Sequence, residues 1–544
     1  MLFSNDCQKA LLCYIITFYF FVDNMDMIVM PSLKRIVSGV LVIGALSGTA
    51  AFAQPTQSNT LSISAAFEFT SLDPSKNGFI YSRMQILETL LDVDENGLLI
   101  PALAERWEVS EDAKSWSFYL REGVRFHDGA LMDADSVVNS LSLAQAKHGA
   151  LRNAPIESIQ ALDRNTVVIR LSRPYTLLGA VLANYANGIL SPAAYGKDGE
   201  VLALSATGPY QLYQFAPPHK LVVEKFDDYW GKKASIPYAS YLTGHRAESR
   251  VLQARSGQVD IVFGLDPASL PSLKRLPSLD LYSNAIPRTI VLKVNSGHPF
   301  LKEVSARQAL SLAINRQGIA NGILRTPNAE AEQLMPASLS NWHLDGVSVR
   351  RGAQEVSAED LLASLGWKKN AKGQLERDGK RFELTLITYA DRPELTTVAT
   401  AIQAQWQAIG ITTKVEVTNS SAIPMGHQDG SLEVALIARN YGFITDPLGV
   451  MLSDFGSNGG GDWGAMNWNN AELSQLLLSL EHTSDPKQYR EIAQRSAQLI
   501  YNERPMIPVT FYVQQTSVNK RVKGFRFDPF ERSFFLNEME FVKP

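Results

Sequence analysis

The segment Ala438-Arg439-Asn440-Tyr441-Gly442-Phe443-Ile444-Thr445-Asp446-Pro447 holds the residue types best suited to gripping a small polar molecule. A guanidinium fork matches a carboxylate in plane and donates two parallel hydrogen bonds. Arg439 supplies such a fork, Tyr441 a ring to stack beside it, and Asn440 an amide that both donates and accepts. The alternative for Arg439 is an internal pair with Asp446. Asp446 and Pro447 are themselves read as turn-formers. The segment follows the apolar run Leu432 to Ile437, a strand by its pattern, so these groups are carried at a strand's end.

Catalytic chemistry is not concentrated in the same way. The eight histidines, at 127, 148, 219, 245, 298, 343, 427 and 482, show no metal-ligand spacing. There is no His-Glu-x-x-His and no Gly-x-Ser-x-Gly. Gly456-Ser-Asn-Gly-Gly-Gly461 lacks the Lys-Ser/Thr of a phosphate loop and reads as a flexible loop. No catalytic residue, metal ligand or cofactor is therefore expected. A carboxylate dyad assembled only by folding would make the alternative, a secreted hydrolase acting on peptides or esters.

The elements that position these groups must be numerous. The chain has 544 residues, 45% apolar and 19% charged, enough for two or three cores. A net charge of -4 gives no basis for a nucleic-acid partner. The first 53 residues do not read as folded domain. Met30-Pro-Ser-Leu-Lys34-Arg35, the apolar run Ile36 to Thr49 and Ala51-Phe52-Ala53 make a signal peptide over 30–53, cleaved before Gln54. Residues 1–29 then form a mis-called extension, with Ala10 to Val22 as a membrane segment the rival reading. Both cysteines, Cys7 and Cys13, fall in that extension, so the mature chain is expected to have no disulfide.

Downstream, Thr60 to Ala66 is strand-like and Tyr81 to Leu91 reads as a helix through Met84, Leu87 and Leu91. Ser115-Trp-Ser-Phe-Tyr-Leu120 alternates, with Trp116, Phe118 and Leu120 on one face, and Asp133 caps a helix. Gln211 to Phe215 and Leu221 to Glu224 make a hairpin. Ile286 to Asn295 is extended and apolar, as is Ile507 to Val513. Phe382–Thr388, Thr397–Ile409 and Ile411–Val417 give strand, helix and strand, implying parallel pairing.

The stretch Leu103-Ala-Glu-Arg-Trp107, Ser110-Glu-Asp-Ala-Lys-Ser-Trp-Ser-Phe-Tyr-Leu-Arg121, Phe126-His-Asp-Gly129 and Asp133-Ala134 resembles the signature of the large solute-binding proteins of ABC importers, the family 5 peptide, nickel and opine class. Ala113 stands where that pattern has Gly. Phe226-Asp-Asp-Tyr-Trp-Gly231 matches the family's Asn-x-x-Tyr-Trp-Gly with Phe226 for Asn, and is read as packing behind the hairpin. The resemblance implies an α/β, two-lobed periplasmic binding protein of class II type, with mixed sheets flanked by helices. Residues 54–290 form the first lobe with an extra subdomain, 291–506 the second, and 507–544 return to the first. Strands near Asn295 and Phe511 are the expected crossings.

The same resemblance implies a monomeric receptor in the periplasm that closes on a small polar ligand and presents it to an inner-membrane ABC permease. Its Arg-x-Tyr-Gly loop is similar to the nickel and metal-chelate branch. Phe443 stands where peptide-specific members carry the Asp that meets the peptide's amine. The stretch Leu448 to Gly461 has no His, where nickel-type members carry one soon after the Asp-Pro. The cargo is thus left among a metal chelate, an opine and a short peptide. Expected ligand contacts are Arg439, Asn440 and Tyr441, then Tyr81 and Arg83 near the family's first-lobe ligand loop. Arg152 and Asn187 are expected from loops facing the cleft, and Trp463 from the segment Gly461-Asp-Trp-Gly-Ala-Met-Asn-Trp468. Trp468 itself is assigned to the core.

Overall fold

A single ten-stranded sheet runs through the structure, and two of its strands are long enough to belong to both ends of it. The computed structural model describes residues 54–147, 149–347, 356–390, 392–456 and 460–542. The expected extension and signal peptide lie outside the described residues. The folded unit begins at Gln57.

The principal elements, numbered in chain order, are β1 (Thr60–Ala65), α1 (Pro74–Arg83), β2 (Ala104–Val109), β3 (Ser115–Leu120) and α2 (Ala134–Ala146). Next come β4 (Ile156–Asp163), β5 (Thr166–Leu171), β6 (Tyr210–Ala216), β7 (Lys220–Lys225), β8 (Tyr238–Thr243), α3 (Ala247–Ser256), β9 (Ile261–Phe263) and β10 (Leu279–Val294). The second half adds β11 (Glu383–Tyr389), α4 (Pro393–Ala408), β12 (Thr412–Thr418), β13 (Val434–Asn440), α5 (Leu448–Phe455), α6 (Ala471–Leu480), α7 (Pro486–Glu503) and β14 (Met506–Asn519). The sheet order is β12-β11-β13-β10-β14-β9-β1-β8-β7-β6.

Strands β10 and β14 pair antiparallel along nearly their whole length, with register shifts between Ala285 and Thr289 and again between Ile290 and Val291. On one side of the first shift β14 also pairs with β9, and on the other β10 pairs with β13. The crossing between the two halves therefore lies at Ile286–Arg288 against Phe511–Val513. Both strands are longer than their apolar runs suggest. β10 is buried at every residue from Ile286 to Val294, as befits a strand covered on both faces. The expected parallel pairing of β11 with β12 is present.

The extra subdomain is a four-stranded antiparallel sheet, β2-β3-β5-β4. Trp116, Phe118 and Leu120 are buried while their neighbours are partly exposed, so the alternation of β3 reports its two faces. Asp133 and Ser136 close a reciprocal capping box on α2. The expected helix over Tyr81–Leu91 is displaced: the helix is Pro74–Arg83. The Asp73 side chain accepts from the Ser75 N–H and Pro74 occupies the first turn, a stronger start signal than the later apolar spacing. Gln85, at φ +55°, then turns the chain away.

Tyr229 and Trp230 are held by a carboxylate. Glu88 accepts from Tyr229 Oη at 2.8 Å, Trp230 Nε1 at 3.0 Å and Thr207 Oγ1 at 2.8 Å. Burial pushes the Glu88 carboxyl up to about 7, against the pull of those three donors. A carboxyl whose pKa is higher folded than unfolded binds its proton more tightly in the native state, so stability falls as pH rises from the ordinary 4.5 to about 7. Glu88→Gln, which keeps shape and two acceptor bonds, is expected to flatten that limb in urea titrations and to gain roughly 2 kcal/mol at pH 8. Ala113 sits at φ +53°, a region that costs an L-residue about 1–2 kcal/mol. Ala113→Gly is expected to raise stability by about 1 kcal/mol in the same titration.

Candidate functional site

In open α/β sheets ligands sit beyond the carboxyl ends of the strands. Here β1, β9, β11 and β13 all run toward the crossing, so their carboxyl ends meet there from both halves. They surround a cavity of about 690 Å³. Its wall is completed by β10 and β14 themselves and by the C-terminal loop around Glu531.

Three guanidinium groups converge on one buried carboxylate. Arg288, on β10 at the crossing, donates to Glu531 at 2.9 Å. Arg83, the last residue of α1, lies 3.7 Å from the other Glu531 oxygen and donates from Nε to the Glu531 carbonyl at 2.5 Å. Arg392, just before α4, is the third. Burial alone would raise the Glu531 carboxyl, but Arg288, Arg83 and Arg392 together hold it below its usual range. Arg392 donates to Tyr512 Oη at 2.9 Å, and that hydroxyl donates to Glu394 at 2.8 Å. Burial disfavours the Arg392 charge, yet Tyr512 and Glu394 more than offset it and the pKa is raised. The Tyr512 ring lies 5.2 Å from the Arg288 guanidinium and 5.1 Å from that of Arg392. Two buried hydrogen-bonding groups of wall residues, Thr326 Oγ1 and Gln515 Nε2, have no partner among the described residues. A donor so placed costs about 1–3 kcal/mol unless something accepts from it.

Four of the eight expected ligand contacts line this cavity: Arg83, Arg439, Asn440 and Trp463. The Trp463 ring stands edge-on to Tyr389 at 6.5 Å. Its loop is tied down by Lys293, a fully buried residue of β10 that donates to the carbonyls of Gly461 at 2.9 Å and Gly464 at 2.7 Å. The other four lie elsewhere. Tyr441 is wholly buried in the core, so its ring has no face free for stacking. Tyr81 is also a core residue, its hydroxyl donated to the Ser71 carbonyl. Asn187 is buried and donates to the Val181 carbonyl at 2.7 Å. Arg152 is exposed on a short helix and does not line the cavity.

Arg439 has an internal partner, and it is not Asp446. Its Nε and Nη2 reach the two oxygens of Asp454 on α5 at 2.7 and 2.6 Å. Asp446 instead accepts from the Leu448 N–H at 2.8 Å and Tyr489 Oη at 2.7 Å, which makes it the turn-former expected. Trp468 is core, as expected. Arg288, Arg392, Tyr512, Gln515 and Glu531 were not foreseen as site residues. An arginine and a lysine inside the apolar run Ile286 to Asn295 were the one local signal, since a buried charge needs a reason.

The family model of the bacterial extracellular solute-binding proteins, family 5, matches residues 99–462. The chain belongs to this family. It is 25% identical over 474 residues to the dipeptide-binding protein of Escherichia coli K12, covering 81% of this chain and 86% of that one. Among solved structures it is similar to NikA from Brucella suis in complex with Fe(III)-EDTA, with a TM-score of 0.81 at 20% identity over 89% of this chain and all of the other. It is also similar to DppA from Helicobacter pylori in complex with the peptide STSA, with a TM-score of 0.73 at 21% identity over 89% and 98% of the two chains. The α/β two-lobed fold of the solute-binding proteins is thereby established. This solute-binding protein carries its cavity at the crossing of β10 and β14, and its family is one of solute capture.

Asp454 has no exposed surface and Arg439 is 20% exposed. Removing the arginine strands a buried carboxylate, a loss of about 3–5 kcal/mol. Arg439→Ala is therefore expected to destabilise the empty protein by that amount in chemical denaturation. Arg439 is a structural residue of the wall first, whatever it adds to binding.

Proposed function

We propose that this solute-binding protein is a periplasmic receptor, acting as a monomer, that traps a small carboxylate-bearing molecule between its lobes and hands it unaltered to the permease of an ABC importer. The observation that carries this reading is the meeting of Arg83 and Arg288 on the carboxylate of Glu531, with Arg392 in the same wall. A ligand carboxylate supplies a counter-charge and an acceptor for guanidinium N–H groups at that point.

A metal chelate, an opine and a peptide all bring carboxylates. Among the described residues no three His, Cys, Asp or Glu side chains gather as a metal-ligand set. A metal cargo would thus travel inside its own chelator, with the chelator's acid groups meeting the arginines. The relative seen with Fe(III)-EDTA, a polycarboxylate, supports that mode, and the one seen with a peptide supports the other. Phe443 places no charge for a peptide's amine, which favours the chelate or opine. The binding role of the relatives favours capture over hydrolysis. No helix among the described residues is long and apolar enough to cross a membrane.

Native mass spectrometry of the protein purified from its own periplasm is expected to release one small carboxylate-bearing molecule per chain, chemically unchanged. Arg392→Met is expected to weaken its rebinding by about 10–100-fold, the worth of a charged hydrogen bond, with the empty protein's thermal midpoint reading the separate cost of leaving Tyr512 and Glu394 without it. A cation with no acid group, or cargo recovered as cleavage products, would refute the assignment.

A further inference from the structure

A second pocket, of about 210 Å³, opens beside the first. The two share Phe67, Arg83, Arg288, Asn440 and Glu531, so the Arg83–Glu531–Arg288 group is the partition between them. The chemistry on its far side is different. Phe67, Phe79, Tyr185, Phe443 and Phe530 give it five aromatic rings. Four of these rings form an edge-to-face run: Phe67 to Phe79 at 5.9 Å, Phe79 to Tyr185 at 6.1 Å and Tyr185 to Phe443 at 5.6 Å. Tyr185 comes from the first lobe and Phe443 from the loop after β13 in the second. They are held together by Asn184 Nδ2, which donates to the Phe443 carbonyl at 3.1 Å.

The run does not close on itself. Phe443 keeps half of its surface exposed, an unusual cost for a phenylalanine already paired with a tyrosine. Gly442 is required here, because a Cβ would stand 2.2 Å from Pro287 Cγ, so the backbone is pressed against the crossing in order to present Phe443. Ring edges and faces directed into one space suit a further ring, which aromatic pairs hold beyond the gain from burial alone. An apolar cavity of about 150 Å³ accommodates benzene. The pocket therefore has room for one substituted ring and not for two. Glu531 is the one carboxylate among its described lining residues, and Arg83 and Arg288 already hold it. An ammonium group placed next to the ring would find no free anion.

We propose that this annex receives an aromatic ring of the cargo, so that the ligand is an aryl-bearing carboxylate with no ammonium group beside the ring. Its acid lies among the arginines of the main cavity and its ring among the phenylalanines. This rests on the reading of the main cavity as a carboxylate receptor. Phe443 and Tyr185 are then specificity-determining residues, one from each lobe, that meet around the ring as the lobes close.

Calorimetric titration of the intact protein with three matched probes tests the assignment: N-acetylphenylalanylglycine, N-acetylalanylglycine and phenylalanylglycine, each repeated with one added C-terminal glycine to vary the reach. The acetylated phenyl compound is expected to bind at least about tenfold tighter than either of the others at one of the two lengths, the gain of burying a ring. In Phe443→Ser that advantage should fall to within about twofold, with the thermal midpoint confirming a folded protein. Equal binding of the alanyl and phenylalanyl probes, weakened alike by Arg392→Met, would overturn the annex and leave the carboxylate receptor standing. Tightest binding by the free amine would overturn it as well. Binding by none of the probes at millimolar concentration would defeat the carboxylate reading itself, and the annex with it.

Discussion

The pairing of β10 with β14 is the constraint on which the rest depends. A two-lobed protein that must open and close needs a connection stiff along its length and yielding at one place. An antiparallel pair supplies the stiffness, and a break in register supplies the yielding place. That break falls at Ile286–Arg288, where the ladder is interrupted before it resumes at Thr289 and Phe511. Backbone groups freed there are not wasted: the Pro287 carbonyl accepts from the Tyr441 N–H at 2.8 Å, which anchors the loop after β13 to the crossing. Arg288 is carried at the same break, so the interruption of the ladder and a charged group of the cavity coincide.

Charge then decides what the crossing can hold. Glu531 is reached by Arg83 from the first lobe and Arg288 from the strand, and its loop is set by Asp528, which accepts from the N–H groups of Phe530, Arg532 and Ser533. Buried guanidinium groups are tolerated only when acceptors surround them. One carboxylate shared between two arginines, with a third arginine satisfied through a tyrosine, leaves that requirement incompletely met. A receptor has reason to stop short of full neutralisation. A site already balanced would have nothing to gain from a ligand's charge, and differential affinity is the only means by which a ligand can shift the lobes toward closure.

Much of the scaffold could be read from residue order. The Ser115–Leu120 alternation, the Asp133 cap and the β11–α4–β12 unit depend on near neighbours, and the structure has them in place. The helix at Pro74–Arg83 was misplaced because Met84, Leu87 and Leu91 satisfy a helical period while serving a buried turn and strand. The site was harder for a different reason. Arg439 was recognisable as a group that grips a carboxylate, but which carboxylate depends on α5 folding Asp454 back against it. Tyr441 lies just past the end of β13, where strand alternation no longer decides which way a ring points. Arg288, Arg392 and Glu531 come from segments far apart in the chain, and no local pattern places them together.

The division of labour within the cavity explains how one family scaffold can serve cargoes as unlike as a peptide and an iron chelate. The groups that fix the cavity's wall, among them Lys293, the Arg439–Asp454 pair and the strand ladder, are internally partnered, so altering them costs stability before it alters binding. The groups that face the cavity sit at strand ends and on loops, where a half-exposed side chain such as Phe443 can be exchanged with little effect on the core. A ligand that touched only one lobe would bind open and closed forms alike and would transmit nothing. Only a molecule that bridges from the guanidinium groups at the crossing to residues of both lobes gains on closure, and the partition formed by Arg83, Glu531 and Arg288 is placed so that such a molecule must pass it.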